Sequence, residues 1–167
     1  GMAGHTYRVG IVGAGGIARA HGAACKAVEC AELVAVCDVS EEAANRFGDE
    51  FDVPTRYTAL PEMLAGEELD IAVICTWGAS HAEVGIVIAE SRRVRAILCE
   101  KPFTLTGDEA ARFVAAAKAS DTLVAEAYKF RHHPMHLKAK ELVDEGAIGD
   151  VTVIRSTFCM AGNPADR

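Results

Sequence analysis

A doubly wound parallel α/β sheet is the fold class that this 167-residue sequence predicts, on three observations. Short apolar runs alternate with helical patterns through residues 5–127, as strands joined by crossover helices do. The first run passes at once into a glycine-rich turn and a helix pattern, in Arg8–His21 (RVGIVGAGGIARAH). The central runs, Asp70–Thr76 (DIAVICT) and Val94–Cys99, are continuously apolar, as strands covered on both faces are.

Taken in order, Val9, Ile11 and Val12 form the first strand, Gly13-Ala14-Gly15 the turn, and a helix starts at Gly16. The motif reads Gly13-x-Gly15-x-x-Ala18. Gly13 lets the turn close, Gly15 lets backbone approach a phosphate, and Ala18 keeps the helix near the strand. Strand before, helix after and Asp38 further on complete the context that a dinucleotide-binding turn requires. A glycine turn serving only to join strand to helix is the alternative.

Glu32–Val39 is the second strand, ending at Asp38, and Ser40 caps a helix opened by Glu41 and Glu42. Pro54–Tyr57 is a short strand or extended piece, with a short helix around Leu60–Ala65. After Asp70–Thr76 the chain breaks at Trp77–Ser80 and continues as a helix over His81–Ala89. Val94–Cys99 leads into Glu100-Lys101-Pro102-Phe103. Thr106 and Glu109 then form a capping box ahead of an alanine-rich helix ending near Ala119. Thr122–Ala127 is the last strand of this series, and the whole is a Rossmann-type arrangement.

The pattern changes at residue 128. Tyr128–His136 is polar, aromatic and basic; a helix follows from about Pro134 to Glu145, closed by Gly146 and Gly149. Val151–Phe158 alternates as a half-buried strand does. Residues 128–167 are thus expected to begin a second domain, and the chain to be the first half of something longer, because a lone strand needs a partner. Gly1 before Met2 reads as a remnant of tag cleavage.

A net charge of −7 argues against a nucleic-acid partner, which is held by clustered Lys and Arg. No run reaches the roughly 18 apolar residues of a membrane span, and no signal-peptide pattern opens the chain. Six cysteines show no Cys-x-x-Cys pair, so buried free thiols and a reducing, cytoplasmic setting are expected. His132 and His136 are spaced for one helix face, yet no acidic or thiol ligand completes a set, and no metal is expected.

The candidate chemistry gathers at strand ends. Asp38 is placed to accept from adenosine ribose hydroxyls, and with Val39 and Ser40 following it favours NAD over NADP. Thr76, Trp77 and His81 follow a central strand, where open α/β sheets bind ligands; Trp77 either stacks on a dinucleotide or packs under a loop. His81 either contacts cofactor or is a solvated helix-end residue. Glu100, Lys101 and Pro102 lie on the same sheet edge as the glycine turn. Lys101 can donate to a reacting oxygen while hydride passes at the adjacent carbon, with Pro102 fixing its backbone, a cis bond being one way to do so. The alternative is an ion-paired turn leaving the sheet. Lys129 and Arg131 suit an anionic or hydroxylated substrate.

Together GAGGIARAH, the strand ending at Asp38, CEKPF and AEAYKFRHHP…LVDEGAIGDV resemble the Gfo/Idh/MocA oxidoreductases over nearly all of Tyr7–Phe158. The resemblance implies hydride transfer between NAD, or NADP, and a secondary hydroxyl of a sugar, cyclitol or similar polyol. It implies a catalytic or substrate-orienting Lys101, with Glu100 and Pro102 shaping the nicotinamide site. Gly13, Gly15, Gly16, Ile17 and Asp38 would hold the rest of the cofactor, and Tyr128, Lys129 and Arg131 would fall at the junction with the substrate domain and, with Lys101, bind the substrate. That second domain would be α+β with an open, mostly antiparallel sheet, building a homodimer or homotetramer. The chain departs from the family at Thr76-Trp77-Gly78…His81, where Thr-Pro-Asn and a histidine are common, and it lacks the second domain's Asp and His acid/base pair. A dinucleotide-binding regulatory or redox-sensing protein without turnover is the competing expectation.

Overall fold

The computed structural model describes residues 4–159. Six strands and five helices alternate through the first part: β1 (Tyr7–Val12), α1 (Gly16–Ala27), β2 (Ala31–Cys37), α2 (Glu41–Phe51), β3 (Thr55–Tyr57), α3 (Leu60–Gly66), β4 (Ile71–Ile74), α4 (His81–Glu90), β5 (Ala96–Cys99), α5 (Gly107–Ala119) and β6 (Leu123–Glu126). All pairings are parallel, and the strand order is β3-β2-β1-β4-β5-β6. The order reverses between β1 and β4, which opens a crevice at their C-terminal ends.

Strand alternation sends side chains to two cores. Val9 and Ile11 of β1 and Val73 of β4 pack with Ala18 of α1 and Phe47 of α2. Val12, Ala72 and Ile74 face the opposite way, against Met63 of α3, Ile88 of α4 and Phe113 of α5. Both faces are therefore covered, which is why the central strands carry no polar alternation. A register shift opposite Val9 and Gly10 gives β2 an extra residue, and Val34 and Ala35 both join the α3 side.

Helix starts follow their local chemistry. Ser40 Oγ accepts from Ala43 N–H at 3.2 Å, and Thr106 Oγ1 accepts from Glu109 N–H at 3.2 Å. Glu109 reaches back one residue further than a capping box requires, taking the Leu105 N–H at 2.9 Å. Strands are shorter than the apolar runs that announce them; Asp38 and Thr76 stand beyond the last paired residues, in the crevice turns.

The chain divides into two compact units between Tyr128 and Lys129. In the second, a 3-10 turn (Lys129–His132) precedes α6 (Pro134–Asp144), and Gly146 and Gly149 adopt φ +77° and +67°. Two expectations are corrected here. Residues 151–159 form no strand and are exposed, since among the described residues of this unit no strand lies beside them to take their backbone hydrogen bonds. His132 ends the 3-10 turn and His136 belongs to α6, so the two do not share one helix face.

Cys37, Cys75 and Cys99 are buried at strand ends, whereas Cys30 and Cys159 are exposed. Burial pushes the Cys37 thiol up to about 11 and the Cys99 thiol to about 12, with Asp38 and Glu126 respectively adding to the effect. These thiols are packing groups rather than nucleophiles at neutral pH. Among the described residues no helix is long and apolar enough to cross a membrane.

Candidate dinucleotide site

Gly13 closes the crevice floor. Its φ is +92°, and a Cβ there would stand 2.7 Å from Cys75 C and Thr76 N, so β1 runs into the turn in direct contact with the backbone leaving β4. Its N–H donates to Cys37 O at 2.8 Å, and Cys75 N–H donates to Val12 O at 2.7 Å. Gly15 then serves as the cap of α1 without a side-chain acceptor, and the first turn of α1 carries no acidic residue. By contrast α2 and α5 each have a capping hydroxyl and two acidic residues in the first turn. The start of α1 thus has neither a side-chain cap nor a carboxylate in its first turn, as an anion site at a helix start requires.

Asp38 braces this turn. Its Oδ2 accepts from Ala14 N–H at 2.7 Å and its Oδ1 from Ser40 N–H at 2.8 Å, and each oxygen keeps a further acceptor position. A cleft of about 620 Å³ opens over the turn, lined by Gly13, Gly15, Gly16, Ile17, Asp38, Thr76 and Trp77. Seven of the residues singled out from the sequence therefore share one cavity. Trp77 is 89% exposed at its mouth.

His81 lies elsewhere. It is 1% exposed at the start of α4, with Nδ1 2.8 Å from Pro102 O and Nε2 3.0 Å from Thr76 O. It is not a solvated helix-end residue; it ties the loop after β4 to the segment after β5, because both ring nitrogens are engaged with backbone. Lys101–Pro102 is a cis peptide. The segment is held on three sides: Lys101 N–H donates to Glu100 Oε2 at 3.1 Å, Pro102 O contacts His81, and Phe103 N–H donates to Glu126 Oε1 at 2.9 Å. Lys101 itself is exposed.

Glu100 is buried, and its Oε1 accepts from His21 Nε2 at 2.9 Å. His21 and Glu126 escape sequence reading. The available signal for His21 is its position on the inner face of α1 with Ala18, Gly22 and Cys25, where a polar side chain needs a partner. Tyr128 closes the first unit, its N–H donating to Glu126 O at 2.8 Å; Lys129 and Arg131 lie in the 3-10 turn of the second.

An open helix N-terminus, a glycine-rich turn and a carboxylate just past the end of β2 define the class as a dinucleotide-binding Rossmann domain. Residues 7–128 match the sequence profile of the GFO_IDH_MocA oxidoreductase family, described as its NAD-binding Rossmann fold, and the chain belongs to that family. It is 28% identical to myo-inositol 2-dehydrogenase of Thermotoga maritima over 90% of this chain and 44% of that protein. It is 32% identical to D-xylose 1-dehydrogenase (NADP(+)) of Hypocrea jecorina over 88% of this chain and 40% of that protein. The WlbA dehydrogenase of Bordetella pertussis, solved with NADH and UDP-GlcNAcA, superposes with a TM-score of 0.81 at 25% identity, covering 87% of this chain and 44% of that one. The chain thus spans less than half the length of these relatives.

Proposed function

We propose that this chain is the cofactor-binding part of a cytoplasmic NAD(P)-dependent dehydrogenase that acts on a secondary hydroxyl of a sugar, cyclitol or similar polyol, within a homodimer or homotetramer. The observation that carries the reading is the uncapped start of α1 beside Gly13 and Gly15, in one cleft with Asp38. These residues fit a dinucleotide: the N–H groups opening α1 receive the pyrophosphate, and Asp38 receives the ribose hydroxyls. Thr76 and Trp77 wall the cleft, and Glu100 and Pro102 shape the nicotinamide end. His81 serves cofactor binding by holding Thr76 and Pro102 rather than by reaching the cleft. When bound, the nicotinamide supplies the hydride acceptor or donor.

Lys101 Nζ donates a hydrogen bond to the reacting oxygen and stabilises the negative charge that develops there. Tyr128, Lys129 and Arg131 meet the substrate. The sugar and cyclitol dehydrogenases among the relatives support this substrate class. Hydride transfer to NAD+ from a panel of polyols by the full-length enzyme tests it. Binding without turnover on any of them would instead favour a regulatory dinucleotide-binding protein.

Trp77 is the single tryptophan of the 167 residues, so its emission reports the cleft directly. NADH absorbs where tryptophan emits, and titrating the chain with NADH is expected to quench Trp77 saturably. An unchanged spectrum would rule out a dinucleotide beside Trp77.

Asp38 also sets cofactor choice, because its charge repels a 2′-phosphate. Asp38→Asn keeps an oxygen for the Ala14 N–H yet removes that charge. The ratio of kcat/KM for NAD+ over NADP+ is expected to fall by roughly tenfold, the effect of one charge-assisted hydrogen bond. An unchanged ratio would place cofactor choice elsewhere.

A further inference from the structure

We propose that His21 is a positioning residue for Lys101, acting through Glu100; this rests on the dehydrogenase reading above. Glu100 is a carboxylate buried next to an exposed lysine, with only 5% of its side chain accessible. Burying it demands donors. One oxygen takes the His21 Nε2 hydrogen at 2.9 Å and the other takes the Lys101 N–H at 3.1 Å. Because a carboxylate oxygen only accepts, His21 carries its hydrogen on Nε2. His21 is 79 residues away in sequence, on the helix whose start receives the pyrophosphate, and its side chain is 16% accessible.

Two hydrogen bonds in series therefore join α1 to the backbone of Lys101. Pro102 O and Phe103 N–H are anchored by His81 and Glu126, which leaves Glu100 as the anchor of Lys101 N–H itself. Without His21, Glu100 is a buried carboxylate short of a donor. It then turns toward water, and Lys101 N–H loses its fixed acceptor. A small rotation at the Lys101 backbone is multiplied along its four-carbon stem, so Nζ leaves the reacting oxygen while the cleft over α1 is undisturbed.

The test compares the full-length wild-type enzyme with His21→Ala and His21→Gln, reading kcat by NADH production and the NADH dissociation constant by calorimetry. The glutamine amide nitrogen lies about as far from the backbone as Nε2 and restores the bond to Glu100. Expected for His21→Ala is a fall in kcat of roughly 10- to 100-fold, as small misplacements of a catalytic group produce, with an NADH dissociation constant unchanged within about threefold. His21→Gln is expected to recover most of the lost rate.

Three results overturn the role of His21: wild-type kcat in His21→Ala, no recovery in a folded His21→Gln, or NADH affinity falling in step with kcat. Should His21→Ala fail to fold, His21→Gln decides alone, near-wild-type kcat supporting the role and a slow folded enzyme overturning it. A wild-type enzyme without turnover removes the dehydrogenase reading and this proposal with it, whereas an active wild type beside an unaffected His21→Ala removes this proposal only.

Discussion

Lys101→Ala in the full-length enzyme is expected to lower kcat by roughly 100-fold or more, with NADH affinity nearly unchanged. Lys101 is exposed just past the end of β5, and its backbone is held by Glu100 on one side and by the His81 contact to Pro102 on the other. Those anchors hold main-chain atoms, so truncating the side chain leaves them in place. What is lost is the one cation that this segment offers to an oxygen acquiring negative charge. Steady-state kinetics with NAD+ and the best polyol, beside calorimetry with NADH, separates the two effects. Turnover near the wild-type rate would remove Lys101 from the reaction. A matching fall in NADH affinity would instead make it a cofactor contact.

Gly13→Ala is expected to destabilise the first unit by about 2–4 kcal/mol, the sum of a left-handed backbone penalty and a steric one. The backbone there has φ +92°, and the new methyl would meet Cys75 C and Thr76 N at 2.7 Å. Both obstacles are main-chain atoms at the end of a central strand, so relief requires moving β1 away from β4. Gly15→Ala makes the control. At Gly15 φ is −80° and no atom lies within 4 Å of an added Cβ, so stability is expected to stay within about 0.5 kcal/mol of wild type. Its methyl would instead stand in the path of the pyrophosphate proposed there, and dinucleotide affinity is expected to fall. Thermal or urea unfolding and NADH titration of both variants check the contrast: Gly13 loses fold and affinity together, Gly15 affinity alone. Equal stability of the two variants would refute it.

The sheet was legible in the sequence because the inner strands β1, β2, β4 and β5 come from apolar runs bounded by turn residues, and burial on both faces leaves little alternation to misread. The edge strands β3 and β6 are short and more exposed. The glycine-turn end of the candidate site was legible for a related reason. Gly13, Gly15, Ala18 and Asp38 act through short-range geometry, a turn and the residue ending the next strand. Val151–Phe158 shows where such reading stops: its alternation is compatible with a strand, yet a strand exists only when another chain segment takes its hydrogen bonds. His81 shows the same limit from the other side. A histidine opening a helix looks solvated in one dimension, and its burial depends on Pro102, 21 residues on.

By itself the sequence determined the α/β class, the glycine turn, the open start of α1, and the presence of Asp38 and Lys101 at strand ends, all consequences of local composition and spacing. The tertiary structure alone decided what those groups rest on. Glu100 meets His21, Phe103 meets Glu126 and His81 meets Pro102 because the strand order 3-2-1-4-5-6 brings distant segments to one edge of the sheet. Hydrogen bonds between residues 21 to 79 positions apart leave no periodic trace in a sequence, since each partner is a single polar residue whose meaning depends on the other.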